Sequence, residues 1–426
     1  MLRFNENNEI ITEEKYRAIL VGLQRKEDIS YSMEELAGLA EADNAEVLGK
    51  IVQTLDKPNS ATLIGKGKVE EVAELVQNME ANMVIFNDEL TGMQLRNLED
   101  AIGVRVIDRT ILILDIFAAR ADSREGKLQV EMAQLKYRMP RLIGFGKSLS
   151  RLGGGIGTRG PGEKKLETDR RHIERRVEDI KSELSQMKQT RNTQRAKREK
   201  SGIPVVALVG YTNSGKSALM NRLLTITDKE EKTVMEKDML FATLDTQQRN
   251  VKLDTNHEFI LIDTVGFVSK LPHSLVEAFK ATLEEVLFAD LLLHVVDAAY
   301  EENDFHIQVT NKVLEEIGAA EKEKIMVFNK IDLVPEFSTQ VPNMENLFVS
   351  AKDSINIELL IEKIKEKIFA DKVIAKLLIP YTRGDLSSYL CEKANVRSME
   401  YVENGTLFDV ELNLDDYRRL AEYDTV

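Results

Sequence analysis

The sequence predicts an α/β protein whose largest part is a doubly wound sheet. Three observations predict it. Short apolar runs alternate with amphipathic stretches along most of the chain, the order that builds parallel sheets covered by helices. Four short motifs lie between Val205 and Lys352, three of them bearing glycine or aspartate and sitting just after such runs. A 43% hydrophobic content over 426 residues supplies ordinary cores for two to four domains. The expected units are an N-terminal α/β domain over 1–125, a basic helical hairpin with a glycine-rich tip loop over 126–202, the doubly wound domain over 203–370, and a small α+β domain over 371–426.

In the first unit, Lys50–Leu55 reads as a strand followed by the loop Asp56–Ser60. Lys68–Met79 reads as a helix, Met83–Phe86 as a short strand, Met93–Ile102 as a helix, Val104–Ile107 as a strand and Thr110–Ala121 as a helix. Next comes helical periodicity in two segments. Leu128, Met132, Leu135 and Met139 are spaced 4, 3, 4, and Leu166, Ile173, Val177, Ile180, Leu184 and Met187 continue that spacing with one slot taken by Arg170. Such spacing gives each helix a narrow apolar seam, so the two should pair antiparallel. Between the two helices lies the glycine-rich stretch 142–163, with Pro140 and Pro161 as the expected breakers. The second helix should end near Lys200, leaving Ser201–Ile203 as linker to the apolar strand Val205–Val209. The last unit reads strand 373–379, helix 386–394, strand 398–402, Gly405, strand 407–412 and a helix.

Charge is unevenly distributed. The chain carries −14 in total, yet Lys136–Lys200 holds 19 Lys and Arg against 8 Asp and Glu, a net of +11. An acidic body with one basic segment points to a local polyanion contact. The tip carries basic residues and no acid from Lys136 to Gly162, and Arg138, Arg141, Lys147, Arg151 and Arg159 are the candidate RNA contacts. Cys391 is the single cysteine, which excludes an internal disulfide and fits a reducing, cytoplasmic setting. No apolar run approaches the roughly 20 residues of a membrane span.

The chemistry lies in the four motifs. Gly210–Ser217 (G-Y-T-N-S-G-K-S) follows a strand and opens a helix, the setting in which backbone N–H groups wrap phosphates. The contact set is Gly210, Tyr211, Thr212, Asn213, Ser214, Gly215, Lys216, Ser217 and Ala218, with Lys216 on the β- and γ-phosphates and the Ser217 hydroxyl on Mg²⁺. Asn213 either caps the loop or binds K⁺ beside the phosphates. Asp263 ends the run Phe259–Ile262, where its carboxylate can meet the metal's water, and Gly266 can offer its N–H to the γ-phosphate. Thr243, in Leu240–Asp245, is placed to reach Mg²⁺ from a mobile loop, with Thr233 and Thr246 as rivals. Asn329, Lys330 and Asp332 follow the strand Ile325–Phe328, and Ser350, Ala351 and Lys352 complete the set. Asp332 can accept from N1–H and N2–H₂ of guanine, Lys330 can pack on the base, and the Ala351 N–H can donate to O6. Adenine has no such donor pair, so the site favours GTP. Lys216, Thr243 and Gly266 are the catalytic candidates of a GTPase. Phe267 stands where many switch GTPases carry a water-orienting glutamine, so hydrolysis should be slow until a partner completes the site.

Read with its flanks, the chain resembles the HflX family of bacterial ribosome-associated GTPases. The resemblance rests on Leu63–Glu71 (L-I-G-K-G-K-V-E-E), Asn87–Glu99, Val106–Ala121 (V-I-D-R-T-I-L-I-L-D-I-F-A-A-R-A), Gly126–Arg141, Leu152–Arg171 and Leu240–Asp245, and covers about residues 10–370. After Asp245 the chain has Thr-Gln-Gln where many members have Pro-Thr-Thr. The resemblance implies a P-loop GTPase fold and binding to the large (50S) ribosomal subunit, with the hairpin loop near the peptidyl-transferase centre of 23S rRNA. It also implies GTP-dependent separation of stalled or idle 70S ribosomes, often in stress or antibiotic tolerance. The partners expected are GTP and GDP, the 50S subunit and the 70S ribosome, for a monomer that does not insert into membranes. Some members use ATP through the N-terminal domain. Here Gly65-Lys66-Gly67-Lys68 lacks phosphate-loop spacing and reads as a turn into a helix. An RNA remodeller driven by the nucleotide, and a passive ribosome-occupancy factor, are the alternative functions.

Overall fold

The structure is a computed structural model that describes residues 16–149, 161–201, 203–227, 241, 247–253, 257–269, 283–334, 336, 344–370 and 372–425. Its described residues form three sheets and a helical hairpin. The first sheet is fully parallel, in the order β2-β1-β3-β4, with β1 Arg17–Gln24, β2 Glu46–Thr54, β3 Met83–Phe86 and β4 Arg105–Asp108. β1, whose R-A-I-L-V-G-L-Q run is buried from Ala18 to Leu23, is a central strand. Helices α1 (Ser30–Ala42), α2 (Lys66–Asn78), α3 (Gly92–Ile102) and α4 (Arg109–Arg120) cover it. α3 starts on a capping box in which Thr91 and Gln94 satisfy each other's backbone N–H, and ends at Gly103 with φ +84°. The turn at Gly65 leads into α2, as the sequence indicates.

The hairpin consists of α5 (Arg124–Leu149) and α6 (Pro161–Ser201). At 1.5 Å per residue, the 41 residues of α6 extend about 60 Å. Leu128, Met132, Val177 and Ile180 form the buried seam, flanked by Leu135, Ile173, Leu184 and Met187. Arg176 reinforces it with two 2.7 Å bonds to Glu131 across the pair. Pro161 opens α6, where its missing N–H costs nothing. Pro140, expected as a breaker, lies inside α5 instead. An interior proline forfeits one helical bond at about 3 kcal/mol, and tertiary packing offsets that loss. Gly92 at the start of α3 lies so close to Arg141 that a Cβ would come within 2.8 Å of its carbonyl oxygen.

The second sheet has the order β10-β9-β8-β5-β7-β6: β5 Val205–Val209, β6 Gln247–Lys252, β7 Glu258–Asp263, β8 Leu291–Asp297, β9 Lys324–Asn329 and β10 Glu345–Phe348. All neighbours are parallel except β6 against β7. Helices α7 (Lys216–Thr227), α8 (Asn303–Ile317) and α9 (Ile357–Ile368) belong to this α/β layer. Separate apolar clusters fill its two faces, one including Leu219 and Leu360, the other Val313 and Leu314. The third sheet is antiparallel, β11 (Lys372–Ile379), β13 (Gly405–Asn413) and β12 (Asn395–Val402), with α10 (Gly384–Lys393) and α11 (Leu414–Leu420) contributing Leu390 and Leu420 to its core. Among the described residues no helix is long and apolar enough to cross a membrane.

The first two sheets are not independent. Tyr211, Phe241, Val265 and Val268 from the second layer belong to the same apolar core as Leu36, Ile113 and Phe117 of the first. Periodicity along the chain cannot reveal such a junction, because its two sides are about a hundred residues or more apart.

Candidate nucleotide site

β5 delivers the chain to Gly210, and the loop closes onto the first turn of α7. Gly215 has φ +88°, and a Cβ there would lie 2.2 Å from Asn329 Nδ2, so the loop needs glycine at this position. Asn213 adopts φ +60°, a conformation that suits asparagine among non-glycine residues. Lys216 is buried, with Nζ donating to the carbonyls of Gly210 (3.1 Å) and Tyr211 (2.7 Å). Burial pulls its ammonium down to about 8, with Asp263 opposing the shift and Lys330 adding to it.

Asp263 is fully buried at the end of β7 and accepts from Ser217 Oγ at 2.6 Å. Two oxygen donors from separate elements thus meet at the foot of the loop, a hard donor pair suited to Mg²⁺. Beyond them, a Cβ on Gly266 would fall 2.6 Å from Thr212 Cα and 3.1 Å from Lys216 Nζ. Two backbone bonds fix this proximity, from Thr212 N–H to Phe267 O (2.7 Å) and from Phe267 N–H to Gly210 O (3.2 Å). Phe267 itself is 2% exposed, packed with Val209, Ile262, Leu283 and Val286. Its ring is therefore committed to the core.

At the opposite end, Asn329 links two loops: Nδ2 donates to Ser214 O, and Oδ1 accepts the Ala351 N–H, both at 3.0 Å. The Ala351 N–H, expected to face guanine O6, is directed at Asn329 instead. Asp332 accepts from Ser350 Oγ at 2.6 Å. Lys330, at φ +67°, is held by Asp297 at 2.7 Å. Arg222 of α7 clamps the turn through the carbonyls of Ala351 (2.8 Å) and Lys352 (2.7 Å). Arg222 and Asp297 act on the motifs from outside them, so no motif spacing marks them.

This geometry joins the four motifs into one site, and comparison with known proteins places it in a family. Residues 30–118 match the family described as GTP-binding GTPase N-terminal, 120–198 the GTP-binding GTPase middle region, and 205–330 the 50S ribosome-binding GTPase. The GTPase HflX of Caldanaerobacter subterraneus subsp. tengcongensis is 48% identical over 97% of this chain and 95% of its own. The chain belongs to the HflX GTPase family. GTPase HflX of Escherichia coli K12 is 40% identical over 95% of the chain and 96% of its own. Among solved structures, the GTP-binding protein of Sulfolobus solfataricus in complex with GDP aligns at 25% identity and a TM-score of 0.44, covering 83% of this chain and 99% of that one.

In this HflX-family chain the nucleotide motifs sit within a larger frame, and it changes the reading of several residues. The Tyr211 side chain turns away from the loop, toward the first layer. Its hydroxyl donates to Glu35, and its ring stacks on His306 at 3.8 Å. His306 stacks in turn on Tyr300 at 4.4 Å, and burial drops its imidazole to about 4, against the pull of Glu35 and Asp297. Only the backbone of Tyr211 is left to serve phosphate. Ala218 packs on the core, so it too can contribute only backbone. Arg138 is exposed on α5. Arg141, expected to reach RNA, is 17% exposed and folds inward onto Asp108 (3.1 Å), Leu90 O (2.8 Å) and Tyr137 O (2.7 Å), with its guanidinium 3.4 Å over the Tyr137 ring. A buried carboxylate 33 positions away claims it, which corrects the sequence expectation. Thr243 and its rivals Thr233 and Thr246, with Arg151 and Arg159, lie outside the described residues, as does the side chain of Lys147.

Proposed function

We propose that this chain is a GTP-hydrolysing switch that binds the large ribosomal subunit and separates stalled or idle 70S ribosomes under stress. Lys216 holds the β- and γ-phosphates, moving off the Gly210 and Tyr211 carbonyls to do so. Ser217, Asp263 through water, and Thr243 hold Mg²⁺, which neutralises phosphate charge when bound. Asn213 is the candidate K⁺ ligand. Asp332 selects guanine, and Gly266 senses the γ-phosphate. The four units at 1–125, 126–202, 203–370 and 371–426 divide the labour, with the exposed basic residues of the hairpin, such as Arg138, facing 23S rRNA in the cytoplasm. The protein acts as a monomer.

One observation carries this reading: Gly266, Lys216, Ser217 and Asp263 lie together, directly against the domain from which the basic hairpin springs. A change at the γ-phosphate thus meets a contiguous packed path to an RNA-binding element. Removing the tip tests it. Deleting Gly153–Gly162 should abolish separation of 70S ribosomes while GTP affinity stays unchanged; undiminished separation would contradict the reading.

A further inference from the structure

Two consecutive residues at the β4–α4 junction connect the nucleotide site to the hairpin. Asp108, fully buried, accepts from Tyr137 Oη at 2.6 Å and from an Arg141 nitrogen at 3.1 Å, both on α5. The backbone N–H groups of Leu90 (3.0 Å) and Ile111 (2.9 Å) hold the same carboxylate in place. The next residue faces the other way. Arg109 pairs with Glu35 of α1, their side chains 3% and 2% exposed, and donates to both the carbonyl and the hydroxyl of Ser269 at 3.2 Å. Glu35 also accepts from Ser269 Oγ and Tyr211 Oη, and Tyr211 Oη accepts the Ser269 N–H at 2.7 Å. One guanidinium–carboxylate pair therefore grips both a phosphate-loop side chain and a residue three positions beyond Gly266. The adjacent residue grips the helix that runs into the tip.

We propose that Asp108 and Arg109 are positioning residues through which the segment Gly266–Ser269 sets the orientation of α5. This rests on the GTP-switch reading and supplies its route. The pair suits the role because a buried charge cannot slide from its partners gradually. If Ser269 withdraws, Arg109 loses two acceptors but keeps Glu35, Asn87 Oδ1 (3.1 Å) and the Ser32 carbonyl (3.4 Å), so the buried pair settles against those partners as a second discrete arrangement. Asp108 shares a peptide bond with Arg109, and any displacement passes directly to Tyr137 and Arg141. A competing route would run through the linker between α6 and β5 and would leave this junction idle.

Hydrogen–deuterium exchange on the full chain, without ribosomes, separates the two routes. With GDP and with a non-hydrolysable GTP analogue, peptides spanning Tyr137–Arg141 should differ in exchange rate by at least about twofold. Ser269→Ala and Tyr137→Phe each trim one arm without removing a charge. Each should erase that difference while both nucleotide affinities stay within about twofold of the parent. Arg109→Gln should do the same, checked for folding by its melting curve. A difference that survives both conservative variants, or a parent protein that binds both nucleotides with identical exchange in α5, overturns the proposal. Failure to bind either nucleotide would defeat the switch reading along with it, and affinities measured on the same samples identify that case.

Discussion

Burial draws the Lys216 ammonium to about 8, and the triphosphate it is to hold favours the charged form. Below pH 8 the group is already protonated, so GTP affinity should be flat. Above it, binding must be accompanied by proton uptake, and affinity should fall by up to about tenfold per pH unit. Titration of nucleotide affinity between pH 7 and 9.5 checks the sign; affinity that rises with pH would refute it. Asp332 supports a second expectation. Asp332→Ala removes the acceptor for the guanine edge and should weaken GTP by about 1–3 kcal/mol, leaving ATP affinity unchanged in a competition assay. These residues were singled out in the sequence because phosphate and base chemistry would require them at fixed local spacings, and the fold gathers their motifs. The inward turn of Arg141 was not legible there, since its partner Asp108 is reached only through the fold. Phe267 was half legible: its lack of hydrogen-bonding capacity is plain in sequence, its burial is not.

Among the elements, the hairpin seam was read almost residue for residue. A spacing of 3 and 4 is a local property that tertiary context did not override. Ile180, fully buried between the two helices, supplies the corresponding prediction. Ile180→Ala should cost about 2–5 kcal/mol, seen as loss of the hairpin helices on denaturant unfolding before the sheets are affected. An equal change at exposed Lys181 should do nothing measurable. Pro140 shows the limit of local rules. A proline ordinarily ends a helix, yet α5 continues because α3 and Asp108 hold its next residue. The strands and helices of residues 372–420 were also found close to their final bounds, through alternation and Gly405, which opens β13 after the Glu403–Asn404 turn.

At the scale of the whole molecule, the decisive feature is the core shared by the first layer and the nucleotide-binding layer. Linear sequence hides it, because Glu35, Arg109 and Ser269 look unremarkable in their own neighbourhoods and Tyr211 is marked only as a phosphate-loop residue. Their assembly makes the two layers one mechanical unit, and Arg109→Ala, which leaves the Glu35 carboxylate buried without its cation, should destabilise the fold by about 3–5 kcal/mol. Thermal unfolding followed at both layers should then show them melting together. In the proposed function the basic hairpin joins this unit to ribosomal RNA, and that attraction should weaken as salt rises. Sedimentation of 70S ribosomes with this protein, in the presence of GDP, GTP or a non-hydrolysable analogue at two salt concentrations, puts both halves of the account to the test. Separation into subunits with the triphosphate forms alone, reduced at the higher salt, is the predicted result; equal separation with GDP, or none with any nucleotide, would contradict it.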